Sequence, residues 1–241
     1  MKEKHLFSVR EFKGLDTKEL RQACLLENLF EKNEIKAVYS YADRMIIGGV
    51  YPKESLALKE ITPENQSFFL EKREMGIINI GGPGSVSVNG TVYDLETMDG
   101  LYIGKGEQEV KFTSKDKDTL AKFYFVSTLS KQSFPVTLIK YNEVTEISLG
   151  SKEEANERVL CKYIHPEGVK SSQLVMGFTR MLEGSVWNSL PPHIHKRRTE
   201  VYFYFDLQEE DRVFHLMGPK DETRHVVIKN EQAIISPYWS M

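Results

Sequence analysis

The residues of this chain whose types and spacing could do chemistry are His193-Ile194-His195 and, five positions on, Glu200. On a strand, residues i and i+2 project from one face, so the two imidazoles can converge on a single point. Glu200 has the wrong parity for an unbroken strand, which predicts a bulge or turn within 196–199 that returns its carboxylate to the same side. Two imidazoles and a carboxylate are donors that a divalent first-row metal accepts. Gly184 and Pro191-Pro192 precede the motif and favour a turn ahead of the first ligand. His193, His195 and Glu200 are therefore the candidate metal ligands.

Around them, Tyr202 and Tyr204 share the parity of Glu200, so their phenols can face the same cavity as acid–base or substrate contacts, or serve as core tyrosines with satisfied hydroxyls. Glu200 and Tyr202 are the candidate catalytic pair. Arg198 and Arg224 are candidates for holding a substrate carboxylate by a bidentate contact. His215 and His225 sit in strand-like runs, where a hydrogen-bonded core histidine is the default, and His5 and His165 carry no context.

The elements that must position these groups are nearly all strands. One helix is predicted within about residues 16–30, opened by Asp16 as N-cap with Glu19 three residues later, and carrying Leu20 and Cys24 at helical spacing. Beyond it the hydrophobic period shortens to two, in Val38–Tyr41, Ile77–Ile80, Val86–Val88, Lys122–Phe125 and Val201–Phe205. Val88-Asn89-Gly90-Thr91 predicts a type I′ hairpin, because Asn-Gly supplies two positive φ angles. Short strands broken by frequent turn signals mean a sandwich or a barrel.

An internal echo organises them. Phe68–Ile80 can be laid over His193–Phe205, with the basic pair and the alternating strand in register, and Gly100–Gly104 then falls on Ala233–Pro237. Where the later copy has His193, His195 and Glu200, the earlier has Phe68, Leu70 and Met75. The joint switch to apolar residues predicts one unit that keeps a metal and one that fills the same cavity with side chains. The expected layout is a helical segment over residues 1–30, a metal-free barrel over 31–140 and a metal-binding barrel over 141–241.

Composition excludes other classes. No apolar run approaches the roughly 18 residues of a membrane helix, and nothing behind Met1 reads as a signal peptide. The net charge of −3, with both signs interspersed, gives no footprint for nucleic acid. Cys24 and Cys161 are too few for a disulfide framework and suit a reducing compartment, so a cytoplasmic protein is expected.

The Gly…His-x-His-x4-Glu pattern resembles the first cupin motif. The longer string Pro191–Phe205, with Gly81–Gly84, Tyr102–Gly106 and Glu222–His225, is similar to the 5-keto-4-deoxyuronate isomerases, and the resemblance runs from about Leu15 to Met241. It implies an all-β bicupin of two barrel or jelly-roll units, one zinc ion per subunit in the second barrel, a hexameric homo-oligomer, and work on a small uronate from pectin breakdown. His193, His195 and Glu200 fall on three of the family's metal ligands. In the family, the string matching Ser236–Met241 continues directly into a histidine, the fourth ligand, whereas this sequence stops at Met241. Reduced zinc content and low turnover are expected of a chain that ends there.

The resemblance implies an aldose–ketose isomerase acting on 5-dehydro-4-deoxy-D-glucuronate. Such chemistry takes a proton from C2 and returns one to C1, with a divalent metal to stabilise the oxyanion. A metal-bound hydroxide, Glu200 or a tyrosine remain open as the shuttle. Two alternatives also remain. Two histidines and one carboxylate with open positions suit a non-haem iron oxygenase, and an inactive, truncated sugar-binding cupin would need no turnover at all.

Overall fold

The computed structural model describes residues 1–63, 66–188 and 192–240. The chain opens with a three-residue strand β1 (Lys2–Lys4), a short helix α1 (Val9–Phe12) and a longer helix α2 (Thr17–Cys24). α2 starts as the sequence predicts. The Asp16 side chain accepts from the Glu19 N–H (2.7 Å), and the Glu19 carboxylate accepts from the Asp16 N–H (2.8 Å). It ends earlier than predicted, because Leu25-Leu26 leave it to pair as strand β2. α1 lies outside the predicted span, and its signal is a second capping box, Ser8 with Glu11.

The strands β3 (Ile35–Ser40), β4 (Met45–Val50), β5 (Leu56–Ala57), β6 (Arg73–Asn79), β7 (Gly84–Val88), β8 (Thr91–Leu95), β9 (Gly100–Ile103), β10 (Val110–Ser114), β11 (Phe123–Leu129) and β12 (Thr137–Ile139) follow. They form a seven-stranded sheet of order β1-β3-β4-β11-β6-β9-β12 and a four-stranded sheet of order β5-β10-β7-β8. The β7–β8 hairpin turns on Asn89 (φ 46°) and Gly90 (φ 86°), the predicted I′ geometry. Beyond residue 140 come β13 (Thr145–Leu149), β14 (Arg158–Ile164), β15 (Met176–Met181), β16 (Glu200–Tyr204), β17 (Val213–Met217), β18 (Arg224–Ile228) and β19 (Gln232–Ser236). These make three smaller sheets, β13-β14-β15, β16-β19-β2 and β17-β18. No helix among the described residues is long and apolar enough to cross a membrane.

Period-two alternation explains how these sheets stack. On β11, Phe123 and Phe125 enter a core between the first two sheets, while Tyr124 and Val126 point the other way into a second core shared with β14, β15 and β19. On β16, Val201 and Phe203 join that shared core, and Phe203 stacks on Tyr124 with ring centroids 4.2 Å apart. Tyr202 and Tyr204 face a third core built from Phe7, Phe12, Leu20, Cys24, Met217 and Ile234. Within residues 1–30, α1 and α2 pack into the third core, on the face to which Tyr202 and Tyr204 of β16 turn.

The expected apolar filling of the first unit is seen for Leu70 and Met75, both fully buried in the first core. Phe68 is the exception. It is only partly buried and Phe69 takes the interior place, because the segment ahead of β6 is irregular and does not keep strand parity. Gly76 on β6 lets the shared core close: a Cβ there would meet Ile164 Cδ1 and Met176 Sδ at 2.7 Å. Gly76→Val should therefore overpack that seam and cost about 1–3 kcal/mol in urea unfolding, with no effect expected on the β7–β8 hairpin.

Candidate functional site

β16 presents Glu200, Tyr202 and Tyr204 on the face covered by α1, α2 and the β17–β18 hairpin. The predicted break before Glu200 is present as a turn at Lys196-Arg197, closed by the Arg198 N–H donating to the His195 carbonyl (3.3 Å). One expectation needs correcting. His193 and His195 do not lie on a strand, because β16 starts only at Glu200 and the turn, rather than strand parity, brings the imidazole to the carboxylate. The Pro191 part of the predicted leading turn lies outside the described residues.

Three groups converge around one point. Glu200 Oε1 lies 3.2 Å from His195 Nε2 and accepts from Arg198 Nη2 at 3.1 Å, and Arg198 Nη2 is 3.2 Å from the same His195 nitrogen. The His193 ring packs edge-on against His195, with centroids 4.9 Å apart. The other carboxylate oxygen of Glu200 accepts from the Tyr202 hydroxyl. Next along the face, the Tyr204 hydroxyl meets His215 Nδ1 at 2.7 Å, and the Tyr202 ring lies 5.0 Å from the His215 ring.

Burial and charge set the protonation states. Burial first, and then the neighbouring Glu200 carboxylate, push the Tyr202 phenol above its ordinary range, so it keeps its proton. Burial does the same to Tyr204. Burial pushes His215 down to about 4, so it is neutral near pH 7. Its Nε2 is buried and finds no hydrogen-bond partner among the described residues.

That last value has a pH consequence. The unfolded imidazole takes a proton near pH 6.5 and the folded one only near pH 4, so between these limits the unfolded state binds more protons. The stability that neutral His215 supports is whole above about pH 6.5 and drains away towards pH 4, by about 3 kcal/mol. Urea titrations at pH 7 and pH 4.5 on the wild type and on His215→Gln should show a steeper acid loss in the wild type. Parallel loss in both proteins would refute it.

Donor chemistry at this point suits a divalent ion. Two ligands about 2.0–2.1 Å from a tetrahedral zinc stand roughly 3.3 Å apart, close to the separation of His195 Nε2 and Glu200 Oε1. The third place beside this pair is taken by the Arg198 guanidinium. Among the described residues, no group of three or more His, Cys, Asp or Glu side chains is drawn together tightly enough to hold an ion. The expected triad is present as one matched pair with His193 alongside.

Other candidates fare differently. Arg198 is in the site, half-exposed at its rim. Arg224 is not. Its guanidinium donates to the Phe12 (3.2 Å) and Leu15 (2.6 Å) carbonyls and lies over the Phe12 ring, so it fastens α1 instead of facing a substrate. His225 is exposed beside Phe214, not a core residue, because it sits on the outer face of the β17–β18 hairpin. His215 is the buried, hydrogen-bonded histidine that its strand-like run predicts, and its partners Tyr204 and Tyr202 set it beside the site. Its signal is the β17 alternation that turns it inward with Met217.

The KduI/IolB family profile matches residues 25–241. A 4-deoxy-L-threo-5-hexosulose-uronate ketol-isomerase of Lachnoclostridium phytofermentans is 50% identical over 235 residues, 97% of this chain and 85% of that protein. The protein of the same name from Halalkalibacterium halodurans is 48% identical over 242 residues, covering 100% and 88%. Among solved structures, an IolB-like protein from Salmonella typhimurium LT2 superimposes with a TM-score of 0.64 at 15% identity, covering 89% of this chain and 84% of that one, a likeness of fold.

Proposed function

The chain belongs to the KduI/IolB family, and from that membership we propose that it is a ketol-isomerase of a 4-deoxy-5-hexosulose uronate, working in uronate breakdown. The observation that carries the reading is Glu200, which faces a proton-bearing phenol, a guanidinium and an imidazole at once.

Moving a carbonyl from C1 to C2 needs one group to take the C2 proton and another to steady the developing oxyanion. Tyr202 keeps its proton, donates it to Glu200 in the free site, and would turn it to a substrate oxygen. Glu200, paired with it, is the neighbouring proton acceptor. Arg198, at the open rim, offers a planar fork that fits the substrate carboxylate. When bound by His193, His195 and Glu200, a zinc ion supplies Lewis acidity for the carbonyl. A homo-oligomer in the cytoplasm completes the reading, and sedimentation of the purified chain reports its assembly.

The test is direct. The purified chain, with zinc restored, is given the 4-deoxy-5-hexosulose uronate, and formation of 3-deoxy-2,5-hexodiulosonate is followed. Product is expected, and its appearance should track bound zinc by elemental analysis. No product alongside an active related isomerase would end the assignment, and undiminished turnover by a zinc-free sample would end the metal role. Arg198→Lys should raise KM about tenfold or more while kcat changes little, since an ammonium cannot make the forked contact.

A further inference from the structure

Among the described residues Arg73 is the largest fully buried side chain of the first unit, and its guanidinium lies over the Tyr39 ring instead of in an ion pair. A buried charge normally has a counter-charge, and burial holds this guanidinium down to about 10. Its two terminal nitrogens instead donate to one backbone carbonyl, that of Arg44, at 2.8 Å for Nη1. Arg44 belongs to the turn between β3 and β4, where Asp43 (φ 50°) and Arg44 (φ 52°) both adopt the left-handed conformation. The two are the central residues of a turn closed by the Met45 N–H donating to the Ala42 carbonyl (3.4 Å), a hairpin geometry with positive φ at both places. The Arg73 guanidinium clasps that turn at the Arg44 carbonyl.

The turn so held aims one side chain at the second unit. The Thr199 N–H donates to Asp43 Oδ2 at 2.6 Å, a contact across 156 positions of sequence. Thr199 is the residue before Glu200 and follows the turn that carries His195 and Arg198. We propose that Asp43 is a positioning residue for the site: from the first unit it fixes the Thr199 backbone, and so sets the direction in which Glu200 leaves the turn and enters β16. In the sequence overlay Glu74 aligns with Thr199, and its side chain accepts from the Ser172, Gln173 and Leu174 amides, so both aligned positions make contacts far along the chain, one through the backbone and one through the side chain.

The inference rests on the isomerase reading for its kinetic part alone. The test compares the wild-type chain with Asp43→Ala and Asp43→Asn. Asp43 is exposed at the surface, so neither substitution empties a core. Asparagine keeps an oxygen that accepts the Thr199 N–H, whereas alanine removes it. Asp43→Ala is expected to lower kcat about 10–100-fold with KM within about threefold, as loss of an outer partner of a ligand does. Hydrogen exchange of the backbone amides in 195–200 should quicken by about tenfold or more, with the rest of the chain unchanged. Asp43→Asn should restore both. Wild-type exchange and kcat in Asp43→Ala would overturn the proposal, as would a general loss of stability that asparagine fails to rescue. If the wild type turns over no uronate, yet exchange quickens in alanine and recovers in asparagine, the contact is upheld and the functional reading alone falls.

Discussion

Glu200→Gln should cut turnover of the uronate by at least about 100-fold while the protein stays folded. The substitution keeps the shape of the side chain and one oxygen to accept from Tyr202, but it removes the negative charge that Arg198 and His195 share. The effect should fall on kcat, because in the proposed reaction the group acts on the reacting atoms more than on ground-state binding. Glu200 lies at a partly exposed position, so its ion pairs add little to stability. A thermal midpoint close to wild type, with lost activity and reduced zinc, is the expected pattern. His195→Ala should reproduce it. Near-normal kcat in Glu200→Gln would place the chemistry elsewhere.

The largest stability effect is expected at Glu74. This fully buried carboxylate accepts the Gln173 and Leu174 amides on Oε1 (2.7 and 2.8 Å) and the Ser172 amide and Tyr102 hydroxyl on Oε2 (2.8 and 2.7 Å). It ties β6 and β9 of the first unit to the loop that leads into β15. Hydrogen bonds to a charged acceptor contribute about 1.5–3 kcal/mol each, and buried donors left without one are costly. Glu74→Ala should therefore lower stability by about 3–5 kcal/mol, read as a lower urea midpoint. Glu74→Gln should recover little, since its amide NH2 turns donors towards donors. A loss under about 1 kcal/mol would mean that water replaces the carboxylate at no great cost.

Much of this was legible in residue types alone. Asp16 with Glu19 marks a helix start, because both halves of that capping box lie within four residues and need nothing from elsewhere. Asn89-Gly90 marks the hairpin for the same reason, since left-handed φ angles are a local preference. The run Glu200–Tyr204 alternates because its two faces meet different surroundings, Val201 and Phe203 the shared core and Tyr202 and Tyr204 the third core, and the spacing of His195 and Glu200 called for the turn that the chain makes at Lys196-Arg197. The resemblance carried by the string Pro191–Phe205 led to the family to which the chain belongs.

Tertiary structure decided the rest, and in each case the partner is far away in sequence. Arg224 has the composition of a carboxylate clamp, but the Phe12 and Leu15 carbonyls, more than 200 positions away, take its donors. His215 becomes part of the site only because β17 folds against β16 and turns its ring towards Tyr202 and Tyr204. Nothing near Asp43 or Glu74 in the chain hints at Thr199 or at the amides of 172–174. Sequence by itself determined the local elements and the donor set, because hydrogen bonds between near neighbours and strand parity are short-range. Which donors meet, and which cation is spent on a helix end, depends on long-range packing of sheets whose two faces must both be buried, and that balance is struck only when the whole chain is folded.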